Sequence, residues 1–429
     1  MKELMSIDSV LSRMNKKDSF VLIIYAVTIG LFASLLAISL MGITEYFEHQ
    51  IFHSAKQYHP LVYIFLPTIG ITSIYYLRKY VFHNKKNKGI SEIYNTLDYP
   101  KDHLPLFKLP SHYINGFLTV IFGGSTGIEV STVVATATLG NTVYKKDFGA
   151  RAYKRELVSA GVAAGIAILF NSPIAGWLFA WEVIAKKMNR AFVLCCTIAT
   201  FVAWIFLQIL HPEPILPIAV TGWNWYAIPF MIVLSLFGGS LSIYFTILVL
   251  RIKGYFSGIN NNFIRVNLGA LAVGTMICFF PFIYGDSYHA LEEMIGGYHN
   301  YSILFLLFIA FLKPLASSLT LGAGGDGGVF APSIVAGAFL GVAFALICNV
   351  YLGTSLQLLN FALIGAATTL SAAIYAPFTS LFLICNLVPN GYELFFPLLI
   401  CCLIANFFAK LIFPYNVYTY DLDKKVSNH

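Results

Sequence analysis

Apolar residues run along this chain in long blocks, near 20–46, 61–82, 112–143, 156–184, 191–211, 226–250, 266–284, 301–348, 357–386 and 392–413. About 20 apolar residues carry a helix across the hydrocarbon core of a bilayer, so each block predicts at least one membrane-embedded helix. Several blocks exceed one crossing and are broken by Gly or Pro, as in "FGGSTGIEVST" (122–132) and "GGDGGVFAPS" (324–333). Unwound backbone is tolerated at membrane depth only where protein buries it or it lines a polar cavity. The long blocks are therefore predicted to be pairs of short, tilted helices.

The breaks recur. "GGSTGIEVST" at 123 is echoed by "GGDGGVFAPS" at 324, an offset of 201, and "NSPIAGWLFAWE" at 171 by "YAPFTSLFLICN" at 375, an offset of 204. Two independent pairs offset by nearly half the chain predict a duplicated unit, and matched interruptions in two halves point to a transporter's binding site. The expected division is a cytoplasmic segment over 1–18, a transmembrane domain over 19–415 with halves near 19–212 and 213–415, and a short tail over 416–429.

Composition fixes the class. The chain is 58% hydrophobic and only 11% charged, under half the charge of about 25% that keeps soluble domains in water. An all-α polytopic membrane protein follows, with the lipid bilayer as its surroundings. The polar opening residues are unlike a cleavable signal peptide, so the first block is read as a retained span. The net charge of +7 comes mostly from clusters at Lys16-Lys17, 78–88, 145–155, 186–190, Arg251 with Lys253, and Lys424-Lys425. Such clusters between apolar blocks mark cytoplasmic loops. No basic face interleaved with aromatics is present, which argues against a nucleic-acid partner. All seven cysteines lie inside apolar blocks without metal-ligand spacing, so reduced packing residues are expected and neither a metal nor a cofactor is. With no HExxH, GxSxG or paired aspartates in the sequence, an enzyme is not expected.

The glycine-rich breaks carry the chemistry. Each precedes an apolar helix and exposes backbone N–H groups at its start, where the helix dipole favours an anion without a full positive charge. Such a site attracts an ion yet lets it leave, as conduction requires. Acidic residues are scarce, those within or beside the later blocks including Glu129, Glu182, Asp286, Glu292, Glu293, Asp326 and Glu393. A cation carrier places carboxylates on its path. The residues by themselves predict a channel or transporter with anion sites at helix ends.

The ordered set "NKGISEI" (87–93), "GSTGIEV" (124–130), "AAGIAILFNSPIAGWLFAWE" (163–182), "GGVFAP" (327–332) and "YAPFTSLFL" (375–383) resembles the CLC chloride channel and transporter family over almost the whole chain. The resemblance implies an antiparallel pair of repeats and intramembrane helices ending near the bilayer centre. It further implies a homodimer with one anion pathway in each subunit, in a bacterial-type inner membrane. It places the anion on backbone amides at Val329 and Phe330, and it draws Gly89, Ile90, Ser125, Gly127 and Ile128 into the pathway. A pore-lining tyrosine falls at Tyr418, with Tyr415 and Tyr420 as nearby rivals; any of the three also suits an interfacial aromatic anchor.

Two motifs depart from the family. Where it has GSGIP, this chain has "NKGIS", with Lys88 in the serine position. Lys88 either ends the basic run or faces the pathway, where a full charge would favour an oxyanion such as bicarbonate over a halide. Where the family has GREGP, this chain has "GSTGI", with Thr126 at the gating position, and Val183 stands where a second proton-carrying glutamate is expected; Glu182 is retained. Loss of both carboxylates implies channel-like conduction or anion exchange without the usual proton coupling. Glu129 offers a substitute gate and with it a proton-coupled antiporter. The favoured reading of Thr126-x-x-Glu129 is instead a capping box at a helix start. Asp326, where the family often has Pro, is expected as an N-cap.

Overall fold

The computed structural model describes residues 16–85, 87–99, 102–146, 153–297 and 301–420, so the expected N-terminal segment up to residue 15 and the tail beyond residue 420 lie outside it. Among the described residues the regular structure is helical: α1 (Lys16–Tyr58), α2 (Val62–Tyr76), α3 (Ile90–Asp98), α4 (Lys108–Ile121), α5 (Glu129–Lys146), α6 (Lys154–Leu169), α7 (Pro173–Phe179) and α8 (Arg190–Leu210), then α9 (Ile228–Ser257), α10 (Asn262–Phe279), α11 (Tyr288–Gly296), α12 (Ile303–Ala323), α13 (Phe330–Tyr351), α14 (Leu358–Ile374), α15 (Pro377–Cys385) and α16 (Phe395–Ile412). Seven helical segments of the described residues are long and apolar enough to cross a membrane.

The blocks and breaks map onto these elements with three differences. The first block ends near residue 46, but α1 continues through a polar stretch to Tyr58. The block over 301–348 divides into α12 and α13 of 21 and 22 residues, full crossings rather than short helices. The short helices α3 and α11 fall outside the predicted blocks, because nine residues apolar on one face only make no apolar block.

The chain forms two compact units, one of Met1–Gly42, Asn87–Ile114 and Glu129–Glu213, the other of Ile43–Lys86, Asn115–Ile128 and Pro214–His429. Small residues set the packing distance in each, as expected where lipid-like side chains give no hydrophobic drive between helices. In the first unit, α5 and α6 approach so closely that a Cβ on Gly140 would stand 2.1 Å from the Leu157 carbonyl oxygen. In the second, α13 and α14 meet at Gly341, where a Cβ would stand 1.9 Å from the Phe361 carbonyl oxygen.

The helix starts also repeat. α7 and α15 each begin with a proline in the first turn, where its fixed φ and missing N–H cost nothing. Just before them, at the 204-residue offset, Asn171 and Tyr375 both hold left-handed backbone, φ 51° and φ 57°.

Candidate functional site

The second unit contains both glycine-rich breaks, and they are bonded to each other in a reciprocal pattern. α4 ends at Ile121, and α12 ends at Ala323. Gly123 and Gly324 follow with φ of 79° and 110°, the left-handed backbone that glycine adopts without a Cβ penalty. The next glycine in each loop donates its N–H back to a threonine carbonyl: Gly124 to Thr119 at 2.7 Å and Gly325 to Thr320 at 3.0 Å. Each threonine hydroxyl then serves the opposite loop. Thr320 Oγ1 accepts the Ser125 N–H at 3.1 Å, and Thr119 Oγ1 accepts the Asp326 N–H at 2.9 Å. Both hydroxyls donate to a carbonyl four residues back, Asn115 and Ala316. The 201-residue offset relates every member of this set, so the loops brace one another about a local pseudo-twofold.

Symmetry ends at the next position. Thr126 corresponds to Gly327, and the threonine side chain fills the space over that glycine: a Cβ at Gly327 would lie 2.4 Å from Thr126 Oγ1 and 2.5 Å from its Cγ2. The Thr126 hydroxyl donates to the Gly328 carbonyl at 2.8 Å and accepts the Gly328 N–H at 2.9 Å. The hydroxyl's single proton is thus given to Gly328. The capping-box expectation fails on the helix boundary: α5 begins at Glu129 itself, whereas Thr126 as N-cap would have it begin at Gly127. Val329 is the N-cap of α13 and Phe330 its first residue, so their amides belong to the turn that has no acceptor inside the helix. The Ser125 hydroxyl, wholly buried, has no hydrogen-bond partner among the described residues.

Two further residues hold these loops and a third holds the segment next to them, and none stood out in the sequence. Tyr284 donates its hydroxyl to the Ile121 carbonyl at 2.6 Å, and its ring covers Gly123, where a Cβ would meet it at 2.6 Å. Arg78 donates to the Gly324 carbonyl at 2.9 Å and pairs with Asp326 at 3.7 Å. Lys313, fully buried, donates to Gly285 O and Ser287 Oγ, each at 2.7 Å, on either side of Asp286. Asp326 is 5% exposed and paired with Arg78; α13 starts four residues on and has Val329 as its N-cap, so the N-cap expected of Asp326 is not formed. Arg78→Met is expected to cost about 2 kcal/mol, because it takes the neighbouring cation from a buried carboxylate and the guanidinium donor from the Gly324 carbonyl. Thermal melting in detergent reads this, and an unchanged midpoint contradicts it.

The remaining expected residues are placed as follows. In the first unit, Lys88 is exposed and its N–H donates to Glu92 Oε1 at 2.8 Å. Gly89 caps α3 with φ 64° and ψ −144°, a conformation open essentially to glycine alone, and Ile90 begins that helix, buried. Glu129 is 4% exposed. Glu182 is half-buried and Val183 buried in the π-helical turn over Ala180–Ala185. In the second unit Tyr418 is buried, whereas Tyr415 and Tyr420 are partly exposed. Asn416 fixes its turn, accepting the N–H groups of Tyr418 and Thr419 at 3.0 Å each.

A family model described as "Voltage gated chloride channel" matches residues 69–410. Two curated relatives, each named H(+)/Cl(-) exchange transporter ClcA, are similar along most of their length. That of Cronobacter sakazakii is 26% identical over 366 residues, covering 82% of this chain and 77% of the relative. That of Salmonella typhi is 27% identical over 369 residues, covering 82% and 76%. Among solved structures, a CLC-type fluoride/proton antiporter superposes with a TM-score of 0.81 at 23% identity, covering 95% of this chain and 98% of that one. A slow cyanobacterial Cl-/H+ antiporter gives a TM-score of 0.81 at 20% identity with the same coverage. At these identities the structural likeness is one of fold.

Proposed function

The chain belongs to the CLC family of voltage-gated chloride channels, and from that premise we propose that it moves small inorganic anions across a bacterial inner membrane without a proton carried by the gate. The cargo is chloride or a small oxyanion such as bicarbonate, and transport is channel-like or an exchange of one anion for another. The observation that carries this reading is Thr126. At the position where the family resemblance expects a titratable carboxylate, a hydroxyl that does not ionise near neutral pH is bonded to both polar groups of Gly328.

In the second unit the family resemblance assigns the pathway to Ser125, Thr126, Gly127 and Ile128 of one loop, with Thr126 lining it while its own donors go to Gly124 and Gly328, to the amides of Val329 and Phe330, and to Tyr418. In the first unit the start of α3 at Lys88, Gly89 and Ile90 is assigned by resemblance. Lys88 being exposed, its ammonium is hydrated, and its pull on an anion is correspondingly weak. The protein acts as a homodimer, with its membrane domain over 19–415 built of two halves.

The second reading is a proton-coupled antiporter that uses Glu129. It is favoured by the exchangers among the relatives and by the burial of this carboxyl at the first position of α5. Reconstitution in liposomes separates the two. Chloride, bicarbonate, nitrate and fluoride fluxes are recorded together with external pH. The expected result is anion flux with fewer than about one proton moved per hundred anions, a loss of coupling worth roughly two decades in rate. Proton movement against its gradient that disappears in Glu129→Gln establishes the antiporter instead.

A further inference from the structure

Outside the two loops, the second unit holds a buried charge cluster that anion transport as described does not use. Glu48 lies near the end of α1 and is 9% exposed; its Oε1 has no hydrogen-bond partner among the described residues. Thr44, one turn earlier on the same helical face, is 2% exposed, and its hydroxyl is likewise unpartnered. The Glu48 carboxylate lies against the backbone of Gly285 and accepts the Asp286 N–H: a Cβ at Gly285 would stand 1.8 Å from Oε1, and Gly285 holds φ 54°. Facing it are Asp286 and Tyr284 from the same loop and Lys313 from α12, with Glu45 one turn back along α1 and His289 of α11 within the field of Lys313.

Charge counting makes the cluster unusual. Two carboxyls, Glu48 and Asp286, face the single ammonium of Lys313, with the exposed Glu45 adding to the negative charge near Asp286. That ammonium directs hydrogen bonds to neutral acceptors, the Gly285 and Ile283 carbonyls and the Ser287 hydroxyl. A buried excess of negative charge is costly, and an added proton relieves it. Burial pushes the Asp286 carboxyl above its usual range, with the Tyr288 amide and Lys313 pulling the other way. Burial, with the charge of Lys313, lowers His289 to about 4, so the imidazole is neutral from pH 5 to 8 and is not the titrating group.

The cluster touches the candidate anion loops through one residue. Tyr284 adjoins Gly285 in sequence, and its hydroxyl and ring hold Ile121 and Gly123, where the first loop begins. We propose that Glu48 is a proton-binding site whose occupancy raises the affinity of the adjoining loops for an inorganic anion. This rests on the reading of those loops as the anion site. When the proton leaves, the cluster gains one negative charge beside the site. At about 10 Å and an effective dielectric of about 20, a unit charge changes anion affinity roughly tenfold. Linkage is reciprocal, so bound anion raises the proton affinity of Glu48 by the same factor. A chain without a titratable gate thus acquires pH-dependent anion binding from a different place.

Chloride and fluoride titrations by calorimetry at pH 5 and pH 8 test this on the full-length protein in detergent. Wild type is expected to bind about tenfold more tightly at pH 5 and to take up protons when chloride is added to a weakly buffered sample at intermediate pH. Glu48→Gln, the uncharged isostere, is expected to bind at both pH values with the wild type's acid affinity and to take up none. Glu48→Asp keeps a carboxyl and is expected to keep the pH dependence, which guards against a folding defect in a single variant. Anion binding with an unaltered pH profile in Glu48→Gln overturns the proposal alone. Absence of anion binding by wild type at both pH values overturns the anion reading, and this proposal with it.

Discussion

Gly327→Ala is expected to cut anion flux about a hundredfold, a barrier increase of roughly 2.7 kcal/mol. The added methyl has nowhere to go. Its carbon would lie 2.4 Å from Thr126 Oγ1, 2.5 Å from Thr126 Cγ2 and 2.9 Å from the Gly127 carbonyl oxygen. Two of these atoms belong to a side chain locked by its bonds to Gly328, so relief requires one loop to move away from the other. That displaces the amides at the start of α13. If steric exclusion is the cause, Thr126→Gly in the same chain clears the space and restores at least tenfold of the lost flux, a coupling that a double-mutant cycle reads directly. Liposome efflux followed with an ion-selective electrode measures both. Flux from Gly327→Ala within twofold of wild type would show that the two loops are not packed as described.

The second large effect is expected at Lys313. Lys313→Met keeps the length and most of the volume of the side chain but removes its charge and its donors. The Gly285 carbonyl and the Ser287 hydroxyl then lose a 2.7 Å bond each, and the carboxyls around them lose their counter-ion. Breaking a buried charge arrangement from one side costs about 3–5 kcal/mol, enough to deplete the folded protein when membranes are solubilised and passed over a size-exclusion column. Asp286→Asn added to Lys313→Met removes one uncompensated carboxylate and is expected to recover part of the loss. Equal yields and melting midpoints for wild type and Lys313→Met would mean that the ammonium contributes no stability.

Legibility in the sequence followed the range of each interaction. The membrane class, the broken blocks and the repeat depend on composition and local pattern, and the 201-residue offset of the glycine pairs appears in the geometry as reciprocal threonine–amide bonds. The threonines that make those bonds gave no signal. Thr119 and Thr320 each donate to a carbonyl four residues back, as threonines in apolar helices commonly do, and nothing local marks their second role. Thr126 misled for a related reason. Its spacing to Glu129 is that of a capping box, and only the position of Gly328, 202 residues away, decides that the hydroxyl is used elsewhere. Arg78 read as one more cation of a cytoplasmic cluster, yet it holds the loop before α13. Glu48 lay in the polar stretch beyond the first block, and its burial depends on a loop more than 200 residues further on.

The reciprocal hydrogen bonds also bear on how the protein is made. Ser125 finds its acceptor 195 residues later and Asp326 finds its own 207 residues earlier, so neither loop can be completed while only half the chain has left the ribosome. The first Gly-Gly break must wait in the bilayer with an unsatisfied amide, an unfavourable state where water is absent, until α12 has been inserted. Loops closed over such separations are slow to form and come late. Biogenesis is therefore expected to pass through an interval in which α4 is already inserted while the loop after it is still unbraced. The two threonines can bond to their opposite loops only once α12 has joined α4.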